Sequence, residues 1–129
     1  MTKEELYQKA LEVRQKAHAP YSKFFVGAAL ETEDGEVFCG CNVENASYGL
    51  TNCAERTAIF KMVSEGKKKI KAMAIVGDVP GGISPCGACR QVLSEFAQKK
   101  TPIYCFDLEG KCIETTVGEL LPFSFSLES

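Results

Sequence analysis

Two short cysteine segments constrain this sequence more than any other feature, because each stands at the start of a predicted helix. The first is Cys53-Ala54-Glu55 and the second is Pro85-Cys86-Gly87-Ala88-Cys89. A Cys-x-x-Cys pair places two sulfur atoms one helical turn apart, a spacing at which both can bind a single ion. Cys53 could supply a third thiolate from the other helix. A fold that uses all three must bring the N-termini of two helices together.

Thiolate ligands suit particular metals and a particular compartment. The chain has seven cysteines, an odd number that is a poor basis for a disulfide framework. Its first residues, MTKEELYQKALEVRQKA, are charged and helical in pattern, without the apolar region of a signal peptide. We therefore expect a cytoplasmic protein with reduced cysteines.

Ligation by sulfur alone, without redox chemistry, points to zinc. Helix N-termini help to form the thiolates by lowering thiol pKa values.

Size and charge exclude several classes of protein. The 129 residues predict a single domain over 1–129, with 45% hydrophobic and 25% charged residues, as in ordinary globular proteins. Fifteen basic and seventeen acidic residues give a net charge of −2, which gives no support to nucleic-acid binding. The longest apolar stretch, 24–30, is far shorter than the ~20 residues that cross a bilayer, so no membrane association is expected.

The pattern of apolar residues predicts elements in the order α-β-β-α-β-α-β-β. Thr2 and Glu5 resemble a capping box at the start of the first helix, which should end before Pro20. Strands alternating with helices indicate crossover connections, while a hairpin at each end makes the sheet mixed. The chain is therefore assigned to the α/β class. The other predicted elements are strands 24–31, 37–43, 72–76, 103–106 and 112–116, helices 53–65 and 85–98, and a helical turn over 117–121.

The number of ligands distinguishes two kinds of zinc site. A structural site is closed by four protein ligands, whereas a catalytic site leaves a position for water. His18, Cys39 or Cys41 could be a fourth ligand, so a structural zinc module that binds a partner is one interpretation. Glu55 favours the second interpretation, a catalytic zinc site. Alone it would be a first-turn acid that stabilises the helix dipole, but beside three thiolates it fits a general acid/base next to an activated water.

These segments resemble the zinc-dependent nucleoside and nucleobase deaminases, whose signature is His-x-Glu followed by Pro-Cys-x-x-Cys. In this chain cysteine stands in place of the histidine. Three further blocks are similar to the small homotetrameric cytidine deaminases, so the resemblance spans nearly the whole chain. They are A-P-Y-S-K-F-x-V-G-A-A-L at 19–30, G-C-N-V-E-N-A-S-Y at 40–48 and E-L-L-P at 119–122.

The resemblance implies a three-layer α/β/α fold with a five-stranded mixed sheet and helices on both faces. It implies one zinc ion per subunit, held by Cys53, Cys86 and Cys89. The reaction would be hydrolytic deamination of cytidine and 2′-deoxycytidine to uridine and 2′-deoxyuridine with release of ammonia, a step of pyrimidine salvage. In the family's chemistry, hydroxide on zinc attacks C4 while the residue matching Glu55 moves the protons. Arg56 matches an arginine that donates hydrogen bonds to ligand sulfurs and offsets their charge.

The same resemblance implies four residues that bind the nucleoside. Phe24 matches the aromatic residue that packs on the base, and the backbone at Ala54 is expected to contact the base carbonyl. Asn42 and Glu44 match the pair that holds the ribose hydroxyls. A carboxylate at this position suits a sugar and repels a phosphate. The alternative substrates are a nucleotide, an RNA or a cytosine-bearing antibiotic. Glu44 disfavours the nucleotide, and the acidic balance and the missing histidine ligand disfavour RNA.

Three further residues match positions that the family contributes to a neighbouring subunit's site, namely Ala46, Tyr48 and Phe125. A site shared in this way requires an oligomer, and the resemblance implies a homotetramer. The tail departs from the family pattern, since Phe123-Ser124 stand where small residues usually follow Leu-Leu-Pro. The remaining cysteines are interpreted as buried or half-buried strand residues: Cys39, Cys41, Cys105 and Cys112.

Overall fold

A computed structural model of the chain describes residues 1–125 and 127. In this part of the chain, five strands and four α-helices alternate as the sequence predicts, with one additional 3-10 helix at Tyr48–Leu50. No helix among the described residues is long and apolar enough to cross a bilayer. The elements are α1 Lys3–Arg14, β1 Val26–Thr32, β2 Val37–Cys41, α2 Ala54–Ser64, β3 Ile70–Gly77, α3 Gly87–Phe96, β4 Pro102–Phe106, β5 Cys112–Thr116 and α4 Val117–Leu120.

The five strands form one mixed sheet in the order β2-β1-β3-β4-β5. β1 is antiparallel to both β2 and β3, and β4 is antiparallel to β5. β3 and β4 are parallel, with Met73 opposite Ile103, and α3 connects them. A parallel pair needs such a crossover because its strands cannot be joined by a hairpin. The predicted mixed sheet, with its hairpin at each end, is confirmed.

Helices cover both faces of the sheet. On one face α1 buries Leu6 and Ala10 against alternate residues of the central strands, such as Ala74. On the other face α2 and α3 bury Ile59 and Leu93, together with the strand residues of opposite parity. Strand side chains alternate between the faces, so a fully buried strand such as β1 serves both cores at once. The three-layer α/β/α arrangement is thereby confirmed.

Two glycines set how closely the helices approach the sheet. A Cβ atom at Gly27 would lie 2.0 Å from the carbonyl oxygen of Ala10 in α1. A Cβ atom at Gly40 would lie 2.4 Å from the backbone nitrogen of Ala58 in α2. Both separations are far below van der Waals contact, so only glycine permits this packing. Because Gly40 allows α2 to pack closely on β2, it also affects how close the first turn of α2, and with it Cys53, lies to the sheet.

Several element ends differ from the sequence-based expectation. The capping box of Thr2 and Glu5 is present, but α1 ends at Arg14, well before Pro20. β1 begins at Val26, because the preceding residues form a hydrogen-bonded turn before the ladder starts. α3 begins at Gly87, since Cys86 has extended dihedral angles. Each difference leaves the order and the type of the elements unchanged.

Candidate functional site

Two helix N-termini meet on one face of the sheet and bring three cysteines together. Cys53 is the N-cap residue of α2, Cys86 is that of α3, and Cys89 lies in the first turn of α3. Their Sγ atoms all lie within 4.8 Å of one another, and those of Cys53 and Cys86 are 3.7 Å apart. Cys89 is buried, Cys53 half-buried and Cys86 exposed. The cluster is therefore open on one side.

The cluster fits a tetrahedral zinc ion. Zinc–sulfur bonds of ~2.3 Å place neighbouring ligands of a tetrahedron roughly 3.8 Å apart, close to the separation of Cys53 and Cys86. Within residues 1–125 and 127, no fourth His, Cys, Asp or Glu ligand atom joins the group. Cys39 packs against the core on the α1 side of the sheet, and Cys41 has the same parity in β2. Neither is placed to close the site.

Hydrogen bonding within the cluster favours one thiolate even without a metal. A hydrogen bond from Cys89, aided by Arg56, lowers the pKa of Cys53 to about 5. The same hydrogen bond, together with burial, raises the pKa of Cys89. Cys53 therefore carries the negative charge of the pair near neutral pH. Because zinc binds thiolates, this site is partly prepared for a cation.

Arg56 supplies positive charge next to the sulfurs. Its Nη2 atom lies 3.6 Å from Cys53 Sγ and 3.5 Å from the carbonyl oxygen of Thr51. Its Nε atom is buried and has no hydrogen-bond partner among the described residues. A buried unpaired donor is costly, so the guanidinium is held here by the charge on the cluster.

Glu55 is a buried acid in the first turn of α2, with 4% of its surface exposed. Burial raises the pKa of its carboxyl group to about 7, and the negative charge of Cys53 contributes in the same direction. An acid that only stabilised the helix dipole would stay in solvent. A carboxyl group with a pKa near 7 can instead accept and donate protons at neutral pH.

A second group of residues links β2 to the beginning of β1. Asn42 is buried, and its amide accepts a hydrogen bond from the Val26 N–H at 2.9 Å and donates one to the Phe24 carbonyl at 2.7 Å. Phe24 is half-buried and packs on the same core cluster as Ala54 at the start of α2. Glu44 accepts hydrogen bonds from the turn that precedes Phe24. Through Ser22, these hydrogen bonds connect the backbone of Phe24, the Asn42 amide and the Glu44 carboxylate in one network.

The sequence profile described as "Cytidine and deoxycytidylate deaminase zinc-binding region" matches residues 1–105. The chain belongs to the cytidine and deoxycytidylate deaminase family. It is 53% identical to a cytidine deaminase of Sporosarcina psychrophila over 128 residues, which are 99% of this chain and 94% of the relative. It is 51% identical to the enzyme of Halalkalibacterium halodurans, again over 128 residues, 99% of this chain and 97% of that relative.

A solved structure of this family supports the fold independently. The crystal structure of cytidine deaminase from Burkholderia pseudomallei superimposes with a TM-score of 0.94 at 50% identity. The match covers 97% of this chain and 100% of that chain. The predicted membership of the cytidine deaminase family is thus confirmed. The family's metal is zinc, and the three-cysteine cluster is able to hold it.

The residues that the family resemblance places at subunit contacts lie on the surface of the chain. Tyr48, in the 3-10 helix, is 85% exposed, and Phe125 is 69% exposed. Ala46 is also exposed. Within the described chain, none of the three makes a hydrogen bond to the cysteine cluster. Phe125 contacts α3 instead, where its carbonyl oxygen accepts a 3.4 Å hydrogen bond from Gln91.

Two residues with well-defined contacts, Arg90 beside the cysteines and Ser22 beside Glu44, were not identified from the sequence. Arg90 donates from Nε to the Pro85 carbonyl at 2.8 Å and from Nη1 to the Leu120 carbonyl at 3.0 Å. Ser22 contacts both Glu44 and Phe24. The position of Arg90 directly after Cys89 was a usable signal for the first. For Ser22, the usable signal was its position two residues before Phe24, because a serine hydroxyl often accepts the backbone N–H two residues later in a local turn.

Proposed function

We propose that this protein is a zinc-dependent deaminase that hydrolyses cytidine and 2′-deoxycytidine to uridine and 2′-deoxyuridine with release of ammonia. One observation carries the proposal: a buried carboxyl group, Glu55, interacts with Cys53 and Cys89 of an open cluster of three thiols. A closed structural site would need a fourth protein ligand, and none stands in the group within the described chain. The three-thiol arrangement therefore suits catalysis better than a purely structural zinc module.

Cys53, Cys86 and Cys89 would hold the zinc ion, which supplies the Lewis acidity that brings the pKa of a water molecule to about 7. Glu55 is the proton carrier. It accepts a proton from the attacking water and donates it to N3 of the pyrimidine. It then accepts the second proton, from the hydroxyl group added at C4, and passes it to the C4 amino group, which leaves as ammonia. Its raised pKa suits this role, since a group with pKa near 7 can exchange protons in both directions at neutral pH.

The proposed ligands of the nucleoside come from the network beside β1. Phe24 would pack on the base, and the N–H groups at the start of α2 around Ala54 would face the base carbonyl, because first-turn N–H groups have no intrahelical partner. Asn42 keeps one N–H available after its hydrogen bond to Phe24. Glu44 would accept a sugar hydroxyl, and its charge disfavours a phosphate. Arg56 would balance the charge of three thiolates on one divalent ion.

We infer that the working form is a homotetramer in the cytoplasm, built from one domain over residues 1–129. The exposed aromatic side chains of Tyr48 and Phe125 support the assembly, because such side chains cluster at subunit contacts. Ala46 would contribute to a neighbouring site alongside them. Reduced cysteines fit a reducing compartment. The products fit pyrimidine salvage.

The deciding experiment measures ammonia released from cytidine by the zinc-loaded protein. We expect Glu55→Gln to retain zinc and to lose at least a thousandfold in kcat, because proton transfer and positioning by one group are lost together. Chelation should abolish the activity and added zinc should restore it. A panel with dCMP, cytosine-bearing antibiotics and an RNA tests the substrate. Full activity of Glu55→Gln would contradict the mechanism, and faster turnover of dCMP or RNA would change the substrate.

A further inference from the structure

One hydroxyl group connects two parts of the proposed nucleoside site. Ser22 Oγ donates a hydrogen bond to Glu44 Oε2 and accepts one from the backbone N–H of Phe24 at 3.0 Å. Phe24 is the residue assigned to the base and Glu44 the residue assigned to the sugar. A single side chain therefore lies between the two binding elements and contacts both.

The hydrogen bonds to Glu44 leave one acceptor position on its carboxylate. Oε1 accepts the backbone N–H groups of Tyr21 at 3.1 Å and Ser22 at 3.2 Å. A carboxylate has about four acceptor positions, two on each oxygen. Partners among the described residues occupy three of them, and the remaining position lies on Oε2, the oxygen that the Ser22 hydroxyl contacts. Ser22 thus orients the lone pair that is available to a sugar hydroxyl.

The same hydroxyl supports a strained turn. Lys23, between Ser22 and Phe24, has a φ of 59°, in the left-handed region that non-glycine residues adopt at a cost. Hydrogen bonds hold the turn on both sides, from the Lys23 N–H to the Ala19 carbonyl at 3.0 Å and from the Phe24 N–H to Ser22 Oγ. Removing the hydroxyl would release the Phe24 side and allow the turn to relax.

Asn42 holds the other end of the Phe24 backbone, its carbonyl group. Its Nδ2 atom donates to the Phe24 carbonyl at 2.7 Å. The backbone N–H of Phe24 is held by Ser22 and its carbonyl by Asn42, so the aromatic ring leaves the backbone at a defined position. Loss of one support would move the ring relative to Glu44.

We propose that Ser22 is a positioning residue that couples the base-binding Phe24 to the sugar-binding Glu44 and so sets the affinity for the whole nucleoside. The inference rests on the proposed function, because both partners receive their roles through it. Ser22 acts only through these neighbours. Interactions of this kind are equally strong in the ground state and the transition state, so their loss raises KM and leaves kcat nearly unchanged.

The test compares Ser22→Ala with Ser22→Thr and with Ser64→Ala. Ser64 is a matched control, since it is also exposed and makes one local hydrogen bond, to the Lys61 carbonyl at 2.8 Å. Each protein is assayed with cytidine and with 2′,3′-dideoxycytidine, which keeps the base and lacks the 2′ and 3′ hydroxyls. We expect Ser22→Ala to raise KM for cytidine about tenfold, the value of one charge-assisted hydrogen bond. For the dideoxynucleoside the increase should shrink to roughly threefold, because only the Phe24 contribution remains.

Ser22→Thr should recover most of the loss, because the position is exposed and the added methyl group has room in solvent. An equal increase of KM for both nucleosides, a KM for cytidine unchanged by Ser22→Ala, or no recovery with threonine would each overturn the coupling role. The control separates the two proposals. If wild type and Ser64→Ala both fail to release ammonia from cytidine, the proposed function fails and the Ser22 role with it. If both are active and Ser22→Ala equals them, only the Ser22 inference fails.

Discussion

The guanidinium group of Arg56 lies 3.6 Å from the Sγ atom of Cys53, three residues earlier in the chain. This contact joins a cationic side chain to the thiol whose pKa is lowered to about 5. Three thiolates around one Zn²⁺ carry a net charge of −1, and a nearby cation reduces the electron donation of the sulfurs. Loss of the Arg56 guanidinium should therefore affect both zinc binding and catalysis.

Arg56→Gln is expected to lower both zinc affinity and kcat by about 10- to 100-fold, the usual effect of removing a hydrogen-bond donor from a metal ligand. The measurements are zinc competition with a chromogenic chelator and ammonia release at saturating zinc. Lys61→Gln on the same helix is the control, because Lys61 is an exposed cation in the last turn of α2. A variant of Arg56 with unchanged zinc affinity and kcat would show that the contact has no functional weight.

Glu55 should make the stability of the metal-free protein depend on pH. Its pKa rises from 4.5 in the unfolded chain to about 7 in the fold, chiefly through burial. Between these values the folded state keeps the proton that the unfolded chain releases, so the free energy of unfolding falls as pH increases from 4.5 to 7. A pKa shift of this size changes the free energy of unfolding by roughly 3 kcal/mol. The destabilisation is complete above pH 7 and absent below pH 4.5.

Metal-free Glu55→Gln should therefore be more stable than the metal-free wild type at pH 8, by up to roughly 3 kcal/mol. The two should converge below pH 4.5. Urea unfolding at several pH values checks this, with Glu65→Gln as a control at an exposed acid just beyond α2. Equal stability of the two proteins at pH 8 would mean that the Glu55 carboxyl is not desolvated in the fold.

Removing zinc should destabilise the protein without unfolding it. The hydrophobic cores on the two faces of the sheet are built largely from strand and helix residues other than the three cysteines. Zinc at a thousandfold excess over its dissociation constant adds about 4 kcal/mol, which for a domain of this size raises Tm by about 10 °C or more. Calorimetry with and without chelator measures the shift, and circular dichroism at 25 °C checks the fold. Complete loss of helical signal on chelation would indicate a metal-dependent fold instead.

Gly40→Ala should be strongly destabilising, because its Cβ atom would lie 2.4 Å from the backbone nitrogen of Ala58. Relief requires α2 to move away from β2, and overpacking of this kind costs about 3 kcal/mol. Thermal unfolding compares it with Gly49→Ala, where the new Cβ atom meets nothing within 4 Å. Because α2 carries Cys53 at its start, we also expect weaker zinc binding by Gly40→Ala. A Tm equal to that of Gly49→Ala would contradict the close packing.

Local sequence patterns predicted the element order because each pattern depends on near neighbours. The capping box at Thr2 and Glu5, the strand 112–116 and the mixed sheet are all found in the fold. The ends of α1 and β1 were less predictable. α1 ends in a run of local turns, whereas the start of β1 depends on a hydrogen bond between distant residues, from Asn42 to the Phe24 carbonyl, which hydrophobic periodicity does not contain.

The sequence by itself determined the family, the α/β class and the chemical nature of the candidate site, because thiols, a carboxyl group and their spacing are written directly in the chain. Only the tertiary structure decided that the Sγ atom of Cys53 lies 3.7 Å from that of Cys86, which is 33 residues further along the chain. It also decided that Glu55 is buried, which raises its pKa, and that one hydroxyl of Ser22 joins Glu44 to Phe24. The physical reason is the same in each case. Distances, desolvation and hydrogen-bond partners arise from packing between segments that are remote in sequence. Here two helices pack on one face of a sheet, and one of them, α2, lies close to β2 because Gly40 has no Cβ atom.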